Sequence, residues 1–269
     1  MAYKIVFSDI DGTLLNKERQ LSPATIQAIN KLKNKIPFVL ISARMPAAMK
    51  HLQQQLDIEE LPIISYNGAL ILINNQVKSS TEIPVEIIEE LAKWNSSHNT
   101  HLSLYNNDEW YVPAMDYWAE REHNNTKVIP LVKPNMEVAR SWKIQGKGAH
   151  KIMAMGEVQN IENTINFLES NFAGQLHLYR SKDTYLEIAP KSISKFTAVE
   201  FLLKNHFNLS EKEAIAFGDN YNDVEMLKNI GYGIAVGNAR PEAMEAANVV
   251  CEPSIEDGVA KILTQLFQH

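Results

Sequence analysis

Four aspartates stand in two short clusters of the chain, Asp9-Ile10-Asp11-Gly12-Thr13 near its start and Gly218-Asp219-Asn220-Tyr221-Asn222-Asp223 near its end. Brought to one place, Asp9, Asp11, Asp219 and Asp223 repel one another, and a divalent cation relieves that repulsion. Hard carboxylate oxygens with no His or Cys beside them favour magnesium over zinc. Magnesium held by a few carboxylates commonly also takes a phosphate oxygen of its substrate. Such a site also needs a basic residue. Lys195 follows Ser192-Ile193-Ser194 at the predicted start of a helix, and a helix N-terminus together with an ammonium group suits a phosphate. A third polar cluster is Ser42-Ala43-Arg44. Ser42 reads as a helix cap, a ligand, or both. Arg44 either contacts a substrate or pairs with a surface carboxylate, and the sequence leaves both open.

These clusters need elements to carry them. Residues 3–8, 37–42 and 62–66 read as short buried strands, with a helix opening after Ser22 and another at 46–56 between them. Ser22-Pro23 opens the first helix as cap and first-turn proline, and Ile26, Ile29 and Leu32 share one face of it. Asn67-Gly68 is a turn signal. After Pro190 the alternation resumes. Helices are predicted at 194–206, 223–229, 241–247 and 256–267, and strands at 213–217, 233–236 and 248–251. Each polar cluster directly follows a predicted strand. In an open parallel sheet, ligands bind outside the carboxyl ends of strands near the topological switch point, so the three clusters can converge. The stretch between has another pattern. Helices are predicted at 84–94, 115–125 and 160–172, a hairpin at 101–107 and 110–112, and strands at 150–155, 175–180 and 185–188. Paired strands mixed with helices predict an α+β layer. All four tryptophans fall there, as expected of a domain with its own core. The reading is an α/β chain. A doubly wound, mainly parallel sheet is built from residues 1–83 and 190–269, and an α+β domain is inserted at 84–189.

Composition narrows the function classes. The 269 residues carry 26 Lys+Arg against 32 Asp+Glu, a net charge of −6, with 45% hydrophobic and 22% charged residues. That is ordinary globular usage and excludes a disordered or fibrous protein. An acidic balance without a Lys/Arg run argues against a nucleic-acid partner. The single cysteine, Cys251, allows no intrachain disulfide and no multi-Cys zinc site, and after Val249-Val250 it reads as a small core residue. The eight histidines form no His-Glu-x-x-His. Asp-x-Asp-Gly is not a calcium loop, because Gly12 falls at the fourth position and Thr13 at the fifth. Gly146-Lys147-Gly148 lacks the spacing of a P-loop and reads as a loop. The first nine residues lack the basic and apolar regions of a signal peptide. No stretch approaches the roughly 18 apolar residues of a membrane span. A cytoplasmic chain without a membrane partner is expected.

The two acidic motifs, with Ser42 in second-motif position and Lys195 in third, resemble the haloacid dehalogenase superfamily over the whole chain. The placement and size of the insertion resemble the cap of its Cof-type phosphatases, and Asn67-Gly68 matches a turn common beside the site in that subgroup. The resemblance implies a Rossmann-like core with an α/β cap and a Mg2+-dependent phosphatase. Its substrate would be a small phosphorylated metabolite: a sugar phosphate, a nucleotide or a phosphorylated cofactor. By the same resemblance Asp9 attacks phosphorus and forms an aspartyl-phosphate, and Asp11 protonates the leaving alcohol and then deprotonates the hydrolytic water. The two-residue spacing fits this division. Asp9 and Asp11 start on one side of an extended strand, and Gly12 lets the chain turn away. Magnesium would be held by Asp9, the Asp11 main-chain carbonyl and Asp219, with Asp223 in support. Ser42, the N–H groups of Ile10 and Ala43, Lys195 and the Asn222 amide would hold phosphate oxygens. Two positions depart from the pattern, since Ala43 and Phe196 stand where relatives have glycine. Among the cap aromatics, Trp110, Tyr111, Tyr117 and Trp118 are core candidates first and substrate contacts second. The alternatives within this reading are a sugar phosphomutase of the same superfamily and a non-catalytic phosphometabolite-binding regulator.

Overall fold

Ile5–Asp9 forms strand β1, and every residue of it is buried. A run apolar on both faces is what a strand covered on both sides requires. The computed structural model, which describes residues 3–32 and 35–267, places β1 inside an eight-stranded sheet. The chain continues through α1 (Pro23–Leu32), β2 (Phe38–Ile41), α2 (Ala47–Leu56), β3 (Ile63–Ser65), β4 (Leu70–Ile73) and β5 (Gln76–Ser80). Ser22 caps α1 as its sequence predicts, its Oγ accepting the Thr25 N–H at 3.0 Å.

A second set of elements follows. It comprises α3 (Val85–Asn95), β6 (His101–Asn106), β7 (Glu109–Val112), α4 (Tyr117–Thr126), β8 (Leu131–Val132), α5 (Asn135–Gln145), β9 (Lys151–Met155), α6 (Val158–Phe172), β10 (Leu176–Lys182) and β11 (Tyr185–Pro190). The chain then returns to the first sheet with α7 (Lys195–Leu202), β12 (Ala214–Gly218), α8 (Val224–Asn229), β13 (Tyr232–Ala235), α9 (Pro241–Ala246), β14 (Val249–Val250) and α10 (Gly258–Phe267).

Two compact units result. One comprises Met1–Arg44, Met49–Lys78 and Ser194–His269, and the other Met45–Ala48 and Ser79–Ile193. The sequence boundaries at 84 and 189 lie inside the second unit.

The first unit holds the sheet ordered β14-β13-β12-β1-β2-β3-β4-β5. Strands β14 through β3 pair in parallel, and β4 runs antiparallel to β3. Its core joins Ile5, Phe7, Phe38, Leu40, Ile215 and Phe217. Each such side chain contributes roughly 1.5–3 kcal/mol on burial. Cys251 packs against this core, as expected, and burial pushes its thiol up to about 11. The β4–β5 pair corrects the sequence reading, which ended the early sheet at residue 66.

The second unit holds a sheet ordered β10-β11-β9-β6-β7-β8, antiparallel apart from the β7–β8 pair. Leu102, Leu104, Trp142, Ile152, Leu186 and Ile188 form its own core. Trp110 and Trp142 are buried, whereas Tyr117 is exposed. The sequence reading missed β8 and α5. Gly146, read there as part of a loop, ends α5 in the left-handed conformation (φ 67°), and its N–H reaches the carbonyls of Lys143 and Trp142. No helix among the described residues is long and apolar enough to cross a membrane.

Candidate active site

Three neighbouring parallel strands deliver the polar clusters. β1 ends at Asp9, β12 pairs with it as Ser8↔Phe217 and is followed by Asp219, and β2 pairs as Asp9↔Ile41 and is followed by Ser42. The chain proceeds from β1 to β2 and β3 on one side, and β12 to β14 lie on the other. The sheet therefore reverses its strand order beside β1, where a crevice opens outside the carboxyl ends.

At the centre stands a charge network. The Lys195 ammonium donates to Asp9 Oδ1 at 2.5 Å and to Asp223 Oδ1 at 2.6 Å. Lys195 is the first residue of α7. Ser194 caps that helix, accepting the Thr197 N–H at 3.1 Å, while Thr197 Oγ1 accepts the Ser194 N–H at 2.9 Å. This reciprocal cap fixes the first turn, and the turn aims the lysine into the sheet edge. Asp223 is fully buried and is held by its other oxygen, Oδ2, which accepts the N–H groups of Asp219 and Asn220 at 3.1 Å each. Thr13 Oγ1 donates to Asp219 Oδ1 at 3.3 Å.

Gly12 makes that approach possible. It has φ +87°, and a Cβ on it would lie 2.3 Å from Asp219 Oδ2. Asn238 Nδ2 donates to the Gly12 carbonyl at 2.7 Å, and Asn238 Oδ1 accepts the Ser254 N–H at 2.8 Å, so the turn after Asp11 is tied to a distant loop.

The electrostatics follow from this crowding. Burial raises Asp9 well above the usual carboxylate range; Lys195 opposes the rise, and Asp223 and Asp219 add to it. Burial, with the Asp223 charge, pushes Asp219 up to about 6. Burial would lower the Lys195 ammonium, but Asp223 and Asp9 outweigh it and raise it. Three carboxylates against one ammonium leave a formal charge of −2 in a desolvated crevice, the deficit a single divalent cation fills. Asp9, Asp219 and Asp223 each offer an oxygen, and these oxygens lie within 4.8 Å of one another. Asp9 Oδ2 is buried without a hydrogen-bond partner, which leaves it open to a ligand. The donor set is all oxygen, so the residues fit magnesium.

The remaining predicted residues are placed as follows. The Asp11 carboxylate turns onto Arg44, accepting from Nε at 2.7 Å and from Nη2 at 2.6 Å. This answers the question the sequence left open for Arg44: it pairs with a carboxylate, and that carboxylate belongs to the motif. Ser42 is buried, donates its N–H to the Ile64 carbonyl at 3.0 Å and accepts the Arg44 N–H on Oγ at 3.2 Å. Ile10 is fully buried, and its carbonyl accepts the N–H groups of Leu14 and Leu15. Ala43 and Phe196 do not have positive φ, so the backbone there does not require the expected glycine. Phe196 packs against the main core. Asn222 donates from Nδ2 to Asn67 Oδ1 at 3.0 Å, and its Oδ1 is buried without a partner. Lys195, expected on a phosphate, has its ammonium between the Asp9 and Asp223 carboxylates.

Sequence reasoning gave no role to Thr13, Asn67 or Asn238. Thr13 and Asn67 lay inside recognised signals, the first motif and the Asn-Gly turn. Nothing in the sequence pointed to Asn238.

The sequence model of the haloacid dehalogenase-like hydrolase family matches residues 6–263. A relative from Haemophilus influenzae bearing the name "Putative phosphatase" is 37% identical over 99% of both chains. The 5-amino-6-(5-phospho-D-ribitylamino)uracil phosphatase YitU of Bacillus subtilis is 24% identical, covering 98% of this chain and 97% of its own. A haloacid dehalogenase-like hydrolase from Bacteroides thetaiotaomicron superposes with a TM-score of 0.89 at 25% identity, covering 98% of this chain and 100% of its own. A Thermotoga maritima structure superposes with a TM-score of 0.88 at 27% identity, covering 98% and 97%. With the acidic motifs joined at one sheet edge and the family model spanning nearly its full length, the chain belongs to the haloacid dehalogenase-like hydrolase family and is one of its Cof-type hydrolases.

Proposed function

We propose that the chain hydrolyses phosphate monoesters of small metabolites through an aspartyl-phosphate on Asp9. The state of Asp9 carries this reading. One of its oxygens is gripped by Lys195, and the other is buried and bare. A carboxylate so held is oriented in advance, and a desolvated oxygen is the stronger nucleophile.

In the first step an Asp9 oxygen attacks phosphorus in line. The bond from phosphorus to the substrate oxygen breaks as the bond to Asp9 forms, and Asp11 gives a proton to the departing oxygen. In the second step water attacks phosphorus and Asp11 takes its proton. The phosphorus–Asp9 bond breaks, and inorganic phosphate leaves. Ser42, Asn222, Lys195 and the N–H groups of Ile10 and Ala43 hold the phosphoryl oxygens, where charge grows in the transition state. Magnesium would be held by Asp9, Asp219, Asp223 and the Asp11 main-chain carbonyl. It would supply positive charge against the phosphoryl oxygens. The second unit acts as the cap that selects the leaving group and excludes water. The activity named for the B. subtilis relative supports a small phosphorylated metabolite as the substrate class.

The test is phosphate release from a panel of sugar phosphates, nucleotides and phosphorylated cofactors, with magnesium and again with excess EDTA. Release that needs the metal and that Asp9→Asn abolishes, with the variant still folded, is the expected result. Metal-independent release, or near-wild-type turnover in Asp9→Asn, would overturn the reading.

A further inference from the structure

We infer that Arg44 is a positioning residue for the proton-transfer step: its guanidinium sets where the Asp11 carboxylate stands. This rests on the proposed role of Asp11 as general acid and base.

The geometry is specific. Two nitrogens of the Arg44 fork, Nε and Nη2, meet the two oxygens of Asp11 at 2.7 and 2.6 Å. Such a bidentate pair fixes direction as well as distance, because both groups are planar. The two partners are unequally held. The Arg44 side chain is 11% exposed and that of Asp11 44% exposed, so the arginine is the anchored member and the aspartate the one that needs anchoring. The anchor itself belongs to the site. The Arg44 N–H rests on Ser42 Oγ at 3.2 Å, and the Arg44 carbonyl accepts the Tyr66 N–H at 3.2 Å. Arg44 thus joins the loop after β2 to the loop after β1. Asp11 needs this help, because it lies past the end of β1 and is followed by Gly12 at φ +87°. With its side chain left to solvent, Asp11 would sample several rotamers, and a misplacement of about 1 Å in a reacting group can cost about 100-fold in rate.

The pair also explains a division of labour between cations. Lys195 carries the nucleophile and Asp223, while Arg44 carries the acid–base residue. The two aspartates of one motif therefore take their positions from separate cations on separate elements.

The consequence is a leaving-group dependence. p-Nitrophenolate departs as a stable anion and needs no proton, whereas phenolate is a far poorer leaving group and gains from one. The two esters are otherwise similar in size and shape. The quantity to compare is kcat/KM, which reports events up to loss of the leaving group. Arg44→Ala is expected to lower it by roughly 10- to 100-fold for phenyl phosphate and by less than about threefold for p-nitrophenyl phosphate. Arg44→Lys keeps the charge without the fork, and should recover part of the loss on phenyl phosphate. Asp11→Asn serves as the reference and should show the same substrate bias, more strongly. Thermal melts of each variant check folding, and should Arg44→Ala fail to fold, Arg44→Lys alone carries the comparison. Equal losses on both esters would place Arg44 on the phosphate, and no loss on either would make the pair incidental; each result overturns the inference. Failure of the wild type on both esters and on the wider panel would instead overturn the phosphatase reading beneath it. A biased Asp11→Asn beside an unbiased Arg44 series would sink this inference alone.

Discussion

Lys195 shows at the scale of one residue how the site is held and what removing its support costs. Its ammonium satisfies two buried carboxylates from different parts of the chain. Lys195→Ala should therefore do more than weaken phosphate binding. It leaves Asp9 and Asp223 facing each other in a dry crevice, and breaking a buried pair by removing one partner costs about 3–5 kcal/mol. A urea titration should show that loss, and magnesium should restore part of it by binding the folded state. A variant as stable as the wild type would mean that solvent enters the crevice freely. The same scale shows what a linear reading can find. Asp9, Asp11, Asp219, Asp223 and Lys195 were legible because each sits in a short motif or at a strand or helix end. The Arg44–Asp11 pair spans 33 positions, Asn222–Asn67 spans 155 and Asn238–Gly12 spans 226. Contacts so distant leave no local period or spacing for a sequence to display.

Elements deliver these residues, and their seating is as exacting as the chemistry. Gly68 has φ +108°, and a Cβ there would lie 2.5 Å from the Ser194 carbonyl oxygen. The turn after β3 thus presses directly on the cap of α7, whose first residue is Lys195. Gly68→Ala should displace that cap. We expect about 1–3 kcal/mol of destabilisation from the strained backbone, and at least a tenfold fall in kcat/KM through the displaced lysine. Thermal melts and turnover of the variant check both, and unchanged turnover would free α7 from this contact. The elements most easily read were those with buried runs or firm caps, such as β1, β2, α1 and β12. The β4–β5 hairpin was missed because its reversal uses Asn74 and Asn75, both left-handed at φ 51° and 60°, rather than a glycine. Helix α5 was missed because it buries only Val138, Ala139 and Trp142, a stripe too narrow to announce a helical period.

For the whole molecule, the second unit carries a liability in acid. His150 is 2% exposed. Its Nδ1 accepts the Asn107 N–H at 3.0 Å, and its Nε2 lies 3.0 Å from Ser80 Oγ. Burial lowers it from 6.5 to about 4, against the opposing charge of Glu82. Burial lowers His101 in the same unit as well. The unfolded chain therefore takes up these protons first. The His150 contribution is complete above pH 6.5 and is lost as the pH falls towards 4. All four tryptophans lie in this unit, so their emission reports on it alone. Between pH 7.5 and 5 the urea midpoint followed by tryptophan emission should fall by the equivalent of about 1–3 kcal/mol. His150→Gln, which offers a neutral donor and acceptor, should lose less than half as much. An equal loss in the variant would assign the acid sensitivity elsewhere.

Cys251 gives the chain a practical property. Burial holds its thiol up at about 11, so at neutral pH only on the order of one molecule in ten thousand carries the thiolate that electrophiles attack. Maleimide labelling of the native protein at neutral pH should therefore be slow. A cysteine introduced at Ile129, 77% exposed in the second unit, would take a fluorophore or spin label ahead of the native thiol. Single-site spectroscopy on this hydrolase then needs no cysteine-free background and leaves the packing around β14 untouched.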